Sequence, residues 1–186
     1  LIEKLLFLAR ADQKRQIMHK EPLDMVPLVE DVFRKLELTD KEHDHVLEVN
    51  EPATVLADKV AMKQMLRIFL ENAVKYTPAG GRISLGAQLV QLKEKETQKE
   101  PAVLGQQVLK ITISDTGIGI PAEALDKIFD RFYRVDTSRS RQEGTVGGTG
   151  LGLSIASWIA REHNMDIQVE SQVGQGTSFM VYIPVI

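Results

Sequence analysis

A chain of 186 residues, 43% of them apolar, is about one domain long and has enough hydrophobic material to build a core. Charged residues make up 26% and sum to a formal net charge of −3, which does not mark a general nucleic-acid binder; the absence of cysteine excludes disulfides, thiolate metal sites and cysteine nucleophiles together. No apolar run approaches the roughly 18 residues that span a bilayer, and no basic-then-apolar leader opens the chain, so the expectation is a soluble piece cut from something longer.

Residues 1–17 read as a helix. Leu1, Leu5 and Leu8 recur at helical spacing with Ile2, Leu6 and Ala9 alongside, giving one broad apolar face. That pattern suits either a terminal helix packed on its own domain or the tail of a helical hairpin or coiled coil, and the missing cap and the polar residues that follow favour the tail. Pro22 closes the segment. A short strand is expected at 21–25 and a helix opened by Pro27 through about Leu38. Strands follow at 45–49 and 54–56, then Asp58 as N-cap of a long helix over 59–76, with Met62, Met65, Leu66, Phe69, Leu70 and Ala73 as its buried stripe. The turn at 78–81 leads into a strand over 82–92, and the charged stretch 93–105 reads as a solvated hairpin loop. Strand 108–114 ends in a DTGIGIP turn, a helix is expected over 121–129, and the Gly-, Ser- and Arg-rich stretch 134–149 has the composition of a mobile loop. A helix over 151–163 and strands at 166–171 and 177–183 complete an α+β order, which points to a two-layer sandwich with a mixed, mostly antiparallel sheet on about three helices.

Three segments carry more than structure. In ENAVKYTP, Asn72, Lys75 and Tyr76 are neighbours on one helical surface; an amide oxygen suits Mg²⁺, an ammonium suits phosphate, and a ring can cover a base. In DTGIGIP, Asp115 ends a buried strand as an acceptor, and the glycines after it allow close backbone approach; the spacing is neither a dinucleotide GxGxxG nor a P-loop. In GGTGLGLS, glycine-rich backbone feeds a helix N-terminus, which makes an anion site from free N–H groups and the helix dipole.

The order of an asparagine box, a DxGxG box, an FDRFYR segment and a GGTGLGLSIA box resembles the ATP-binding domain of bacterial sensor histidine kinases, in the Bergerat-fold superfamily that also holds gyrase, the Hsp90 chaperones and MutL. The likeness runs from about Glu21 to the C-terminus. It implies a catalytic domain over 21–186 with a lid at about 134–149, and residues 1–20 as the end of a dimerisation helix. By the same resemblance Asn72 would coordinate Mg²⁺, Lys75 would contact phosphate and Tyr76 would flank adenine. Asp115 would accept the adenine amino hydrogen, with Gly117, Gly119 and Ile120 shaping the base pocket. Arg131 and Arg134 would stand at the base of the lid. Gly148, Thr149, Gly150 and Gly152, with Leu151, would close round the phosphates. The implied ligands are ATP and Mg²⁺. The implied partners are a phosphoacceptor dimerisation domain and a response regulator, in a homodimeric, membrane-anchored sensor kinase whose cytoplasmic part this would be.

Hydrolysing members of the superfamily carry a glutamate one helical turn before the asparagine. Here that position is Ile68, which is no base, and Glu71 projects about 100° away from Asn72. The kinases often have an asparagine at that position too, so Ile68 departs from both patterns. None of His19, His43, His45 and His163 lies in an H-E/D-x-R/K-T/N-P acceptor motif; His163 is expected as a helix-end cation and Trp158 as core. The resulting expectation is a nucleotide-holding kinase domain without its own acceptor. The alternatives are a conformational ATP hydrolase and a degenerate docking module; Asp136, Arg139 and Arg141 read as solvated lid residues, an arginine there being able to reach a γ-phosphate.

Overall fold

The computed structural model describes residues 2–12, 17–49, 51–92, 107–135 and 149–186. Two layers make up the fold. One is a five-stranded sheet, β2 (Asp44–Val49), β4 (Arg82–Gln91), β5 (Gln107–Asp115), β7 (Gly176–Pro184) and β6 (Asp166–Gln172) in spatial order 2-4-5-7-6. The other holds α2 (Met25–Thr39), α3 (Lys59–Tyr76) and α4 (Gly152–Glu162), with α1 (Ile2–Asp12) outside α4 and a two-stranded ribbon of β1 (Glu21–Asp24) and β3 (Thr54–Ala57) at one end.

The sheet is antiparallel except where β2 runs parallel to β4, the strand that returns after β3 and α3. Period-2 alternation puts Ile83, Leu85 and Ala87 of β4, Ile111 and Ile113 of β5, and Val181 and Ile183 of β7 on the helix-facing side. Against them α3 turns Met62, Met65, Leu66, Phe69 and Ala73, the stripe that its sequence marks, all essentially excluded from solvent. Asp58 is the N-cap of α3, its Oδ1 accepting from the N–H groups of Val60 and Ala61 at 2.9 and 3.0 Å.

Several expectations are corrected. Helix α2 begins at Met25 because Asp24 caps it by accepting from Val26 N–H, so Pro27 lies within the first turn instead of opening it. The helix expected over 121–129 is a single 3₁₀ turn, Ala122–Ala124, followed by further turns. Its bonds stay turn-like, Lys127 N–H to Ala124 O and Asp130 N–H to Lys127 O both at 2.9 Å, and at Phe132 the backbone takes a left-handed φ of +64° and gives its N–H to the carbonyl of Gly150 at 2.9 Å. In α1 the docked stripe is Phe7, Leu8 and Ala11; Ile2, Leu5 and Leu6 of the expected apolar face are exposed. The hairpin loop at 93–105 lies outside the described residues. So does the lid, apart from Arg134, Val135 and Thr149; Gly148, Asp136, Arg139 and Arg141 are therefore undescribed. Among the described residues no helix is long and apolar enough to cross a membrane.

Candidate active site

The C-terminal half of α3, the end of β5 and the start of α4 enclose a cleft of about 290 Å³. Helix α3 brings Asn72, Lys75 and Tyr76 to its wall, as three- and four-residue spacing requires. Asn72 is half-buried, and the Lys75 ammonium lies 4.9 Å from the centre of the Tyr76 ring. Phe179, stacked on Phe69 with centroids 4.8 Å apart, makes an aromatic floor.

At one end stands Asp115, the last residue of β5. Its Oδ1 accepts from Gly117 N–H at 2.8 Å, and the backbone of Thr177, its register partner on β7, also bonds it. Burial pushes its carboxyl above the usual aspartate range, and those two hydrogen bonds only partly offset the shift. The loop after it is sewn to its surroundings by backbone. Ile118 N–H donates to Tyr76 O at 3.0 Å, Gly174 N–H to Ile118 O at 2.8 Å, and Ile120 N–H to Ser171 Oγ at 2.8 Å. A Cβ on Gly117 would lie 2.4 Å from Tyr76 O, and one on Gly119 (φ +72°) 2.1 Å from Gln172 O. Both glycines are needed because two backbone segments pass at contact distance.

At the other end the chain from FDRFYR meets the glycine box. Gly150, at φ +70°, lies so close to Phe132 that a Cβ would approach its backbone at 2.8 Å. A Cβ on Gly152, at the start of α4, would come within 3.3 Å of Ile68 on α3. Thr149 Oγ1 is buried here and has no hydrogen-bond partner among the described residues, an orphan that a ligand oxygen would satisfy. Arg134, Thr149, Gly150 and Gly152 line the cleft together with Asn72 and Lys75.

Not every expected residue faces the cleft. Leu151 is fully buried in the core, so only its backbone is near the site. Gly117 shapes the wall from behind, and Arg131 is exposed and outside the lining. Conversely Tyr133, Ile128, Thr177 and Phe179 line the cleft without having been picked from the sequence. Thr177 was legible only through its strand register with Asp115. Ile68, where a hydrolytic glutamate would sit, is 5% exposed and apolar. Glu71 reaches the rim, where its Oε1 is 3.2 Å from Arg67 Nε.

None of the four histidines lines the cleft. His43 and His45 both bond Oδ2 of Asp40, at 2.7 and 2.8 Å, and His43 Nε2 also reaches Thr77 O at 2.9 Å. With two acceptors His43 needs both ring protons, and its pKa is raised: burial opposes the charge, and the bonds to Thr77 and Asp40 outweigh it. His163 is the reverse. Its Nδ1–H donates to Ile159 O at 2.8 Å and its Nε2 accepts from Asp58 N–H at 3.0 Å, while burial lowers its pKa. The helix-end cation expected there is a neutral ring. Trp158 is in the core, as expected, edge-on to Phe7 at 5.1 Å.

Residues 57–186 match the family described as histidine kinase-, DNA gyrase B-, and HSP90-like ATPase. The sensor histidine kinase WalK of Bacillus subtilis is 32% identical over 186 residues, 99% of this chain and 28% of WalK. YkoH, a sensor histidine kinase of the same species, is 36% identical over 96% of this chain and 35% of its own length. The chain thus spans about a third or less of these curated relatives. Full-length ShkA in complex with AMPPNP superposes with a TM-score of 0.77 at 26% identity, covering 99% of this chain and 35% of ShkA. The nucleotide-free catalytic domain of histidine kinase ThkA superposes at 0.68 and 26% identity, covering 90% of this chain and 96% of that domain. The chain belongs to the histidine kinase-, DNA gyrase B- and HSP90-like ATPase family, as the ATPase domain that sensor histidine kinases carry.

Proposed function

We propose that this chain binds Mg-ATP in the α3–β5–α4 cleft and donates the γ-phosphoryl group to a histidine on a dimerisation domain, as one step of two-component signalling. The observation that carries the reading is the polarity of the cleft. A half-buried carboxylate held by two backbone bonds, Asp115, stands at the Tyr76 end of α3, and the Arg134 cation stands with the glycine backbone toward the Ile68 end; Lys75 also lines the cleft. A nucleotide has the same polarity: an amino-bearing base at one end, anionic oxygens at the other.

Asp115 would accept the exocyclic amino hydrogen, with Tyr76 and Ile120 beside the base. Lys75, Arg134 and the N–H groups near Gly150 and Gly152 would hold the phosphates. The donor set suits magnesium: one amide oxygen, from Asn72, leaves the remaining positions to phosphate oxygens and water, the usual manner of Mg²⁺ binding. When bound, the ion would neutralise charge developing on the transferred group. The protein's share is positioning and exclusion of water.

Transfer in place of hydrolysis is supported by Ile68, which offers no base, and by the ion pair of Glu71 with Arg67. A separate acceptor is supported by the histidines: His163 is buried, His43 and His45 are half-buried, all three are committed to hydrogen bonds, and His19 is exposed but outside the cleft. Residues 1–20, with α1, would be the end of a dimerisation helical hairpin, and the exposed Ile2, Leu5 and Leu6 support a second packing surface on α1. The domain would work on the cytoplasmic side of a membrane-anchored homodimer whose next partner is a response regulator.

The test is to mix the chain with a dimerisation domain carrying an acceptor histidine, Mg²⁺ and γ-labelled ATP. Acid-labile, base-stable label on that histidine is expected. Steady release of ADP and phosphate by the chain alone would favour a hydrolase, and tight ATP binding with neither product would favour a docking module.

A further inference from the structure

The stripe by which α1 docks is Lys4, Phe7, Leu8 and Ala11, spaced i, i+3, i+4 and i+7. Three members are apolar: Phe7 meets Trp158, and Leu8 and Ala11 are 4% and 7% exposed in the main core. The first is a lysine. It is half-buried where Glu3, Leu5 and Leu6 around it are exposed, and it lines the cleft. After α1 the chain reaches the far end of α4, where His19 N–H bonds Asp58 Oδ2 at 2.9 Å and Lys20 Nζ bonds Glu162 O at 2.5 Å. Lys4 shares the cleft lining with Gly150, Gly152 and Leu153, so the start of α1 lies toward the start of α4. Lys4 has no ion pair among the described residues, and Glu71, the carboxylate at that rim, is engaged by Arg67.

We infer that Lys4 is a phosphate-binding residue of the nucleotide site, supplied by the helix that precedes the domain. The inference rests on the nucleotide reading above. A half-buried lysine on the docked stripe, lining a cleft that Lys75 and Arg134 also line, gives a third cation from a third element. A lysine is a point charge on a flexible stem and suits terminal phosphate oxygens without demanding one geometry. Because the residue belongs to α1, ATP affinity and the docking of α1 are linked, each favouring the other.

The test titrates the full chain, in fixed Mg²⁺, with ATP, ADP and adenosine, using the wild type, Lys4→Ala, Lys4→Arg and Phe7→Ala. Lys4→Ala is expected to weaken ATP about tenfold, the scale of one charge-assisted hydrogen bond, and to leave adenosine within about twofold. Lys4→Arg should restore most of the loss. Phe7→Ala, which frees α1, should lower ATP affinity and shift the emission of Trp158, the only tryptophan. ATP affinity of Lys4→Ala within about twofold of wild type, or equal losses for ATP and adenosine, would overturn the assignment while leaving the nucleotide site standing. A wild type that binds adenosine and ATP not at all would overturn both.

Discussion

The backbone N–H of Asp58 donates to Nε2 of His163 at 3.0 Å, joining the first residue before α3 to the first residue after α4. The same aspartate caps α3 through Oδ1 and accepts His19 N–H through Oδ2. One residue pair thus ties the segment leaving α1 to both helices that wall the cleft. Accepting that N–H is possible only for an unprotonated Nε2, so the knot requires a neutral imidazole.

Stability should therefore be acid-sensitive through His163. Its folded pKa lies below the ordinary 6.5, so the folded state takes up the proton less readily than the unfolded chain. The stabilisation is complete above about pH 6.5 and is lost as pH falls from there through the lowered folded value. Melting temperatures from pH 7.5 to 5 should drop, and the drop should shrink in His163→Gln, which keeps an acceptor and a donor but does not titrate. Removing the bonds altogether with His163→Ala should cost about 2 kcal/mol at pH 7.5.

The Asp40–His43 pair acts in the opposite sense. His43 has a raised pKa, so its contribution is complete below about pH 6.5 and is lost as pH rises through the raised value. Asp40 is itself buried, and the bonds from His45, Glu42 N–H and His43 outweigh that burial to hold its carboxyl below the ordinary range. Asp40→Asn should destabilise by about 2 kcal/mol at pH 6 and by less at pH 8.5. Equal losses at the two values, measured by urea unfolding, would mean that His43 is not charged in the fold.

Gly119→Ala should be among the most damaging single methyl additions. The residue is at φ +72° and the new Cβ would sit 2.1 Å from Gln172 O, so the DxGxG loop must leave the β6–β7 turn. A loss of about 2 kcal/mol or more is expected, along with nucleotide affinity. Gly80→Ala, at φ +83° but with nothing within 4 Å, is the control and should cost only the backbone strain of about 1 kcal/mol.

Asp115→Asn and Asn72→Ala should separate the two ends of the cleft. The first exchanges a carboxylate for an amide facing the base and should weaken ATP and adenosine alike, by about tenfold or more. The second should leave metal-free binding nearly intact and remove the gain that Mg²⁺ gives. Calorimetry with and without the metal reads both.

Most of this architecture was legible because local and global signals agree. Helix α3 begins after Asp58 and ends at Tyr76 as its cap and stripe dictate, and β5 and β7 follow period-2 alternation. The short helix at 121–129 was not legible. Its composition permits a helix, but the segment forms turns that lead into Phe132, which bonds Gly150 18 residues further on. The neutral ring of His163 was missed for a similar reason: it follows from a partner 105 residues distant, as the ring state of His43 follows from one 34 residues away. For the site, the motif residues of α3 and of the Asp115 loop were picked individually, whereas Tyr133, Phe179 and Lys4 reach the cleft only through tertiary packing.

The central claim is a cleft that holds the base by Asp115 and Mg-phosphate by Asn72 and its neighbours. The most direct measurement is a titration of the chain with a non-hydrolysable ATP analogue, with and without Mg²⁺, on wild type and Asp115→Asn. Saturable binding that magnesium strengthens and Asp115→Asn weakens is the expected result. No binding at millimolar analogue with the protein folded, or binding indifferent to both changes, would contradict it.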